Sequence, residues 1–499
     1  MIKIRGHFFN YIILSFVIAC SGNGSGSNTD TAVSDTDTVN DGDTNTGGDA
    51  DTDTDTDTDT DTDEDTGVDQ MERTTCEQRR ASLPVRDGVE ILVSPGESGQ
   101  VLLTDGSSTT LRQVVQDAAE GDTILLGDGT YTFSESDGQN YTGLYITTPN
   151  ITIRSQSGNA ADVVLDSAYA DHGGETAPVS VDAAGVVLAD FTVQKSIFHL
   201  VHLWQNADDA ILYNLRLIDG GQQFVKASPA AGTVDNIEVS CSQFLMTDKG
   251  RDNVWGYGDV DGWTRCYTGG IDTHDATNWI IADNYFRGIY CNGDGVERPA
   301  HGKKAEVRDN LTYRGGLAEQ AIHMWNSETG TAHSILRNTI VDCARGIGIG
   351  LNDEVFGTTI VNNMIVSNFA AGSEHDVAIN IDRGNSMIVA HNSIFYTNEN
   401  GYSNAIEYRY ASSSNLQIFN NLTNRAIKDR DGAAAELMDN LTNAQAAWFE
   451  DVTEGNLHLS SCDITDVNDA VEASSIVTTD FDGDTRTDNT DIGADECTP

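Results

Sequence analysis

LRNTIV (336–341), VNNMIV (361–366), VAHNSI (389–394) and IFNNLT (418–423) are four copies of one pattern. Each has an aliphatic opening, a polar centre carrying Asn, and a second apolar stretch. Five earlier segments follow it: LADFTV (188–193), LYNLRL (212–217), VSCSQF (239–244), IADNYF (281–286) and VRDNLT (307–312). The polar anchors are Asp190, Asn214, Ser242, Asn284, Asn310, Asn338, Asn363, Asn392 and Asn421. They recur every 24 to 29 residues, with a single interval of 42. A repeat of that length, built from short strands and turns, marks a stacked solenoid, because one unit cannot bury its apolar face alone. An Asn returning at one turn can hydrogen-bond its copies in neighbouring coils. The expected fold is all-β, a right-handed parallel β-helix with its anchor Asn residues aligned.

Composition narrows the partners. The 499 residues carry a formal net charge of −50, which excludes nucleic acid and anionic lipid as ligands. An acidic substrate would need a local cationic patch. Gly is frequent at 48 and Pro sparse at 7, as suits a turn-rich solenoid. Lys3 and Arg5 precede an apolar run from Phe8 to Ile18, too short to span a bilayer and typical of an export signal. Val17-Ile18-Ala19-Cys20 resembles a bacterial lipobox, which implies a lipidated Cys20 and attachment to the outer membrane or cell surface. Residues 21–70 hold 15 Asp and Glu64 without a Lys or Arg. Such a segment repels itself and has nothing to bury, so it reads as an extended tether. The expected organisation is a signal at 1–20, a tether at 21–75, the β-helix at 85–430, and C-terminal coils and a cap at 431–499, in a monomer.

Within the body, Thr110 to Gln113 has the form of a capping box. It opens a short helix whose apolar residues Leu111, Val114, Val115 and Ala118 would cover the open end of the coils. GDTILLGDGTYTF (121–133) and NITIRS (150–155) then resemble the opening of pectate-lyase-like β-helix proteins. The 42-residue interval marks an insertion near 247–270, whose Trp255, Tyr257, Trp263 and Tyr267 suit stacking on sugar rings. In the tail, Asp480, Asp482, Asp484 and Asp488 could offer ligands to calcium, but they lack the full spacing of an EF-hand loop and suit a structural cap better. With Cys20 lipidated, seven Cys remain in a compartment that permits disulfides, and Cys462 with Cys497 is the best pairing.

A second strand precedes each anchor segment. Alternation sends its aliphatic residues inward and the others outward. The first outward position reads His202, Lys226, Asp272, His323, Gly348, Asn380 and Glu407 in successive coils. The second reads Trp204, Ser228, His274, Trp325, Gly350, Asp382 and Arg409. Parallel strands stack about 4.8 Å apart, so these residues should form two columns. Three His and two Trp, followed by two Gly, suggest a groove rather than an ordinary solvated face. His202, Trp204, Trp325, Trp255, Asn380 and Asp382 are then candidates for substrate binding.

GGIDTHD (269–275) resembles the active-site strand of mannuronan C-5 epimerases, themselves β-helix proteins. The resemblance implies catalytic roles for Asp272 and His274, with Lys226 one coil earlier and Arg345 as a further cation. Gly269, Thr273 and Gly346 depart from that family's Tyr, Pro and second His. Independently of it, proton abstraction beside a uronate carboxyl needs a cation on the carboxylate and a base on the proton. Lys226 and Arg345 could supply charge; His274 or His323 could be the base, with Asp272 orienting a His. Elimination of the neighbouring substituent makes a lyase, whereas reprotonation on the other face makes an epimerase. Three alternatives stay open: a metal-dependent hydrolase using Asp272, His274, His323 and His202; a glycosidase pairing Asp272 with Asp382; and a glycan-binding adhesin.

Overall fold

The computed structural model describes residues 74–133, 143–170, 177–229, 231–252, 257–260, 263–265, 268–290, 320–351, 353–369 and 376–497. The expected export signal and most of the expected tether lie outside them. One coil illustrates the construction. Val187–Ala189, Thr192–Ser196 and Val201–Leu203 belong to three different sheets. Each pairs in parallel and in register with its counterpart in the next coil: Leu188 with Leu212, Val193 with Leu217, Val201 with Val225. Repetition of this step builds a right-handed parallel β-helix. The inward aliphatic residues of all three sheets merge into one continuous core. Phe244 and Phe286 stack within it, 4.3 Å between ring centroids.

The corner between the first and second sheets explains the repeat. Its first residue is left-handed, as at Asp190, Asn214, Asp283, Asn362 and Asn420, with φ between 48° and 64°. Asn and Asp tolerate this conformation best among residues with a Cβ. Its second residue points inward and forms the ladder. Asn284 donates to Asn338 at 3.0 Å, Asn338 to Asn363, Asn363 to Asn392 and Asn392 to Asn421 at 2.9 Å each, and Asn421 to Asn440 at 2.8 Å. Two expectations shift here. Asp190 and Asn214 occupy the left-handed corner, one residue before the ladder position, where Phe191 and Leu215 stand buried. Asn284 bonds Asn338 directly, and the expected anchor Asn310 lies outside the described residues.

At its start the solenoid is closed as expected. Leu111–Asp117 is a helix whose Thr110 hydroxyl accepts from the Gln113 amide at 3.1 Å. Gln113 reaches forward to Asp117, so the reciprocal half of the capping box is not formed. Leu111, Val114, Val115 and Ala118 join the core. An earlier helix, Thr74–Ser82, replaces the end of the expected tether. A disulfide from Cys76 to Cys241 pins it to the coils. Arg79 bonds Asp283 and Glu238 at 2.8 and 2.9 Å, and Arg80 bonds Asp190 at 2.5 Å.

The tail clasps a flank instead of capping the end. Phe449, Leu457, Leu459, Phe481 and Ile492 pack on Met364, Val366, Phe395 and Leu422 of the second sheet. Cys462 and Cys497 are disulfide-bonded. The acidic run serves as turn scaffold. Asp480 accepts from the amides of Asp482, Asp484 and Glu496 at 2.8 to 3.0 Å, and Asp488 is exposed. Among the described residues, the donor groups that converge are instead His458 with Asp482 and Asp495, and Asp469 with Asp491 and Glu496.

Asn363 donates to Asn392, Ile335 and Val361 and accepts from Asn338, all buried. Replacing it with Ala strands several of these groups. The Asn363→Ala chain is expected to lose about 2–4 kcal/mol, read as a lower denaturant midpoint.

Candidate active site

The third sheet carries the site. Its strands Val201–Leu203, Gln223–Ala227, Gly269–Thr273, Gln320–Met324 and Arg345–Ile349 are consecutive neighbours. Register pairs His202 with Lys226, Lys226 with Asp272, Asp272 with His323, and His323 with Gly348. The first outward column therefore stands as the alternation predicts. The second is carried by the same ladder, with His274 N donating to Ala227 O and Trp325 N to Thr273 O.

Asp272 is the hub. Lys226 Nζ contacts its Oδ2, and Trp325 Nε1 donates to its Oδ1 at 2.5 Å. His323 Nδ1 lies 3.1 Å from Oδ1 without hydrogen-bond alignment. His274 Nε2 is 3.7 Å from Oδ2 and 2.9 Å from Lys226 Nζ. The rings of His274 and Trp325 are 4.1 Å apart. Lys226, Asp272 and His323 are at most 4 % exposed, whereas the His274 side chain keeps 30 %. His274 is thus the most exposed titratable member of the cluster.

Electrostatics follows from this packing. Burial opposes ionisation of Asp272, but the Lys226 ammonium and His323 hold the carboxyl below the usual carboxylate range. Burial, and then the Lys226 charge, push His274 down to about 4. Burial and Lys226 push His202 down to about 3. At neutral pH His274 and His202 are therefore neutral imidazoles beside an ionised Asp272.

The other proposed groups divide. His202 stacks on Trp204 at 3.9 Å and shares a 2.8 Å hydrogen bond with Ser228. Both lie on the same face, one coil before Lys226. Arg345 bonds Asp376 at 2.8 and 3.1 Å. Asn380 and Asp382 sit two coils past His323, and Asp382 is paired with Arg409 at 3.1 Å. Trp255 lies outside the described residues, as do the side chains of Tyr257, Trp263 and Tyr267.

A third outward column escaped simple alternation. Leu200 and Val201, Phe224 and Val225, and Ala321 and Ile322 all enter the core as consecutive pairs. The residue before each pair returns to the outer face, giving His199, Gln223, Gly269, Gln320 and Arg345. The signal in the sequence is the doubled apolar residue where the chain bends onto the sheet. His199 meets His202 edge-on at 5.1 Å.

The metal-hydrolase reading loses its site, because the Lys226 ammonium already stands between Asp272 and His274 where a cation would go. The glycosidase reading lacks its pair, since Asp272 and Asp382 are both committed to cations and three strands apart.

No family model and no curated protein matches the chain. Among solved structures it is similar to pectate lyase Pel9A, at 12 % identity and a TM-score of 0.45, covering 84 % of this chain and 98 % of that one. A rhamnogalacturonan lyase gives 12 % and 0.41, with 81 % and 96 % covered. An alginate lyase from Paenibacillus sp. str. FPU-7 gives 12 % and 0.31, with 71 % and 99 % covered. At TM-scores below 0.5 these likenesses do not bear on the reaction, and the fold rests on the strand pairing.

The low pKa values make a pH signature. From the ordinary value of 6.5 down to about 4, the unfolded chain takes a proton that folded His274 refuses. Its contribution to stability is therefore complete above about pH 6.5 and is lost as pH falls toward 4; His202 acts in the same sense. The expected melting temperature falls between pH 7 and 4.5, and His274→Gln makes the fall shallower.

Proposed function

We propose that this chain is an exported polysaccharide lyase that takes the proton beside a uronate carboxyl. The observation that carries the reading is the partly exposed, neutral His274 held 2.9 Å from a buried ammonium whose counter-charge is fixed by Asp272. An ammonium has three N–H donors. Two of Lys226's meet Asp272 and His274, and a third can meet a substrate carboxylate. That carboxylate would draw on the Lys226 charge and so raise the proton affinity of His274 as substrate binds. Once the substrate carboxylate draws the Lys226 N–H away, the freed His274 Nε2 lone pair takes the proton, and Lys226 stabilises the charge developing on the carboxyl group. Asp272 positions Lys226 and Trp325, with His323 behind.

Elimination is favoured over epimerisation by one feature. The titratable groups of the cluster share one sheet face, which suffices if His274 takes the proton and hands it to the departing glycosidic oxygen as that C–O bond breaks. Epimerisation also needs a second proton donor on the opposite face of the sugar. The outer His202–Trp204 stack suits an adjoining sugar, with the ring faces as platform.

A panel of uronate polysaccharides tests this through absorbance of the unsaturated product. On the polysaccharide that reacts, His274→Ala is expected to lower kcat by about 10²–10⁴-fold with the fold intact. Asp382→Asn, outside the cluster, should change it little. Bound but unreacted polysaccharide, unaffected by His274→Ala, would make the face a recognition surface instead.

Attachment to the cell through Cys20 belongs to the same proposal, supported by the lipobox resemblance and the acidic tether behind it. Cys20→Ala is expected to move the protein from the membrane to the soluble fraction. Unchanged membrane retention would reject a lipid anchor.

A further inference from the structure

The third column holds two buried amides that the mechanism above does not use. Gln223 is 1 % exposed, and neither its Nε2 nor its Oε1 has a hydrogen-bond partner. Gln320 is 3 % exposed, and its Oε1 is likewise without one. They occupy equivalent places two coils apart, with Gly269 on the strand between them. Two strand spacings are about 10 Å, and Gly269 contributes no side chain to fill the gap. Lys226, Asp272 and His323 follow three residues later on the same three strands.

Gly348 is part of the arrangement. A Cβ there would come within 1.5 Å of Gln320 Oε1. Only glycine lets the Gln320 amide reach into the first column, beside His323, whose register partner is Gly348. Buried polar groups almost always find partners, and leaving one bare destabilises the fold. Two such amides beside a reactive cluster are an arrangement that a ligand completes.

The chemistry of the missing partner is constrained. Gln223 lacks both a donor and an acceptor, and Gln320 lacks a donor for its carbonyl. A hydroxyl supplies both roles, whereas a carboxylate only accepts and would repel the bare carbonyl oxygens. We propose that Gln223 and Gln320 form a hydroxyl-reading slot, which grips the ring hydroxyls of the sugar whose proton His274 removes. This rests on the reading of the third sheet as a polysaccharide site. It also sets the sugar's orientation: hydroxyl edge toward Gly269, carboxyl toward Lys226. Chains acylated on those hydroxyls should be poor ligands.

The test uses Gln320→Met in the full chain, which keeps the volume and removes the amide. Without polysaccharide its melting temperature should rise, since an unsatisfied buried group is gone. On the polysaccharide that reacts, KM should rise on the order of tenfold while kcat stays within about threefold. Gly348→Ala, which expels the same amide, should reproduce the KM effect and so guards against a folding artefact in the first variant. A lower melting temperature, or an unchanged KM, would overturn the slot. If the wild-type chain turns over none of the uronate polysaccharides, the lyase reading fails on its own. Affinity electrophoresis through alginate and polygalacturonate then decides the slot. Weaker retardation of Gln320→Met than of wild type supports it, and equal or absent retardation of the two rejects it.

Discussion

In-register parallel stacking governs every neighbour relation in this molecule. Because each coil repeats the last without slippage, residues far apart in the chain become lateral neighbours about 4.8 Å apart. The buried ladder from Asn284 to Asn440 holds that register at the corner, where each side chain serves the coil before and the coil after. A slip of one residue would turn the core face outward. It would also scatter Lys226, Asp272 and His323, which meet only because three strands are aligned.

The same stacking makes a buried charge tolerable. Asp272 sits on an almost fully covered strand, where an isolated carboxylate would be costly. Its neighbour in one coil is an ammonium, in the next an imidazole, and an indole N–H closes the set. Removing a single partner leaves the others uncompensated. This interdependence gives the cluster fixed geometry, and it leaves His274 as the half-buried group at its edge. Stability and reactivity therefore draw on the same contacts.

Much of this was legible in the sequence, for reasons of period. The fold follows from a repeat of 24 to 29 residues, and two columns of the site follow from strand alternation. What alternation could not show lies where it breaks. The doubled inward residues at each bend, such as Phe224 with Val225, hid the column of His199, Gln223 and Gln320. Asp190 and Asn214 look like ladder residues because Asn and Asp suit a left-handed corner as well as an inward rung. Long-range closures have no local signal at all. Neither the bond from Cys76 to Cys241 nor the tail's contact with the flank of the second sheet is encoded in any repeat. The acidic tail drew attention to calcium by composition, yet Asp480 spends both oxygens on backbone amides.

The central claim is that a sugar reacts against the exposed edge of His274. The most direct measurement is a crystal structure of the chain with a uronate oligosaccharide bound. The expected complex places a ring carbon bearing the reacting proton about 3–3.5 Å from His274 Nε2, with the neighbouring carboxylate on Lys226. An oligosaccharide lying on the first or second sheet, or crossing the third with no ring carbon near His274, would contradict it.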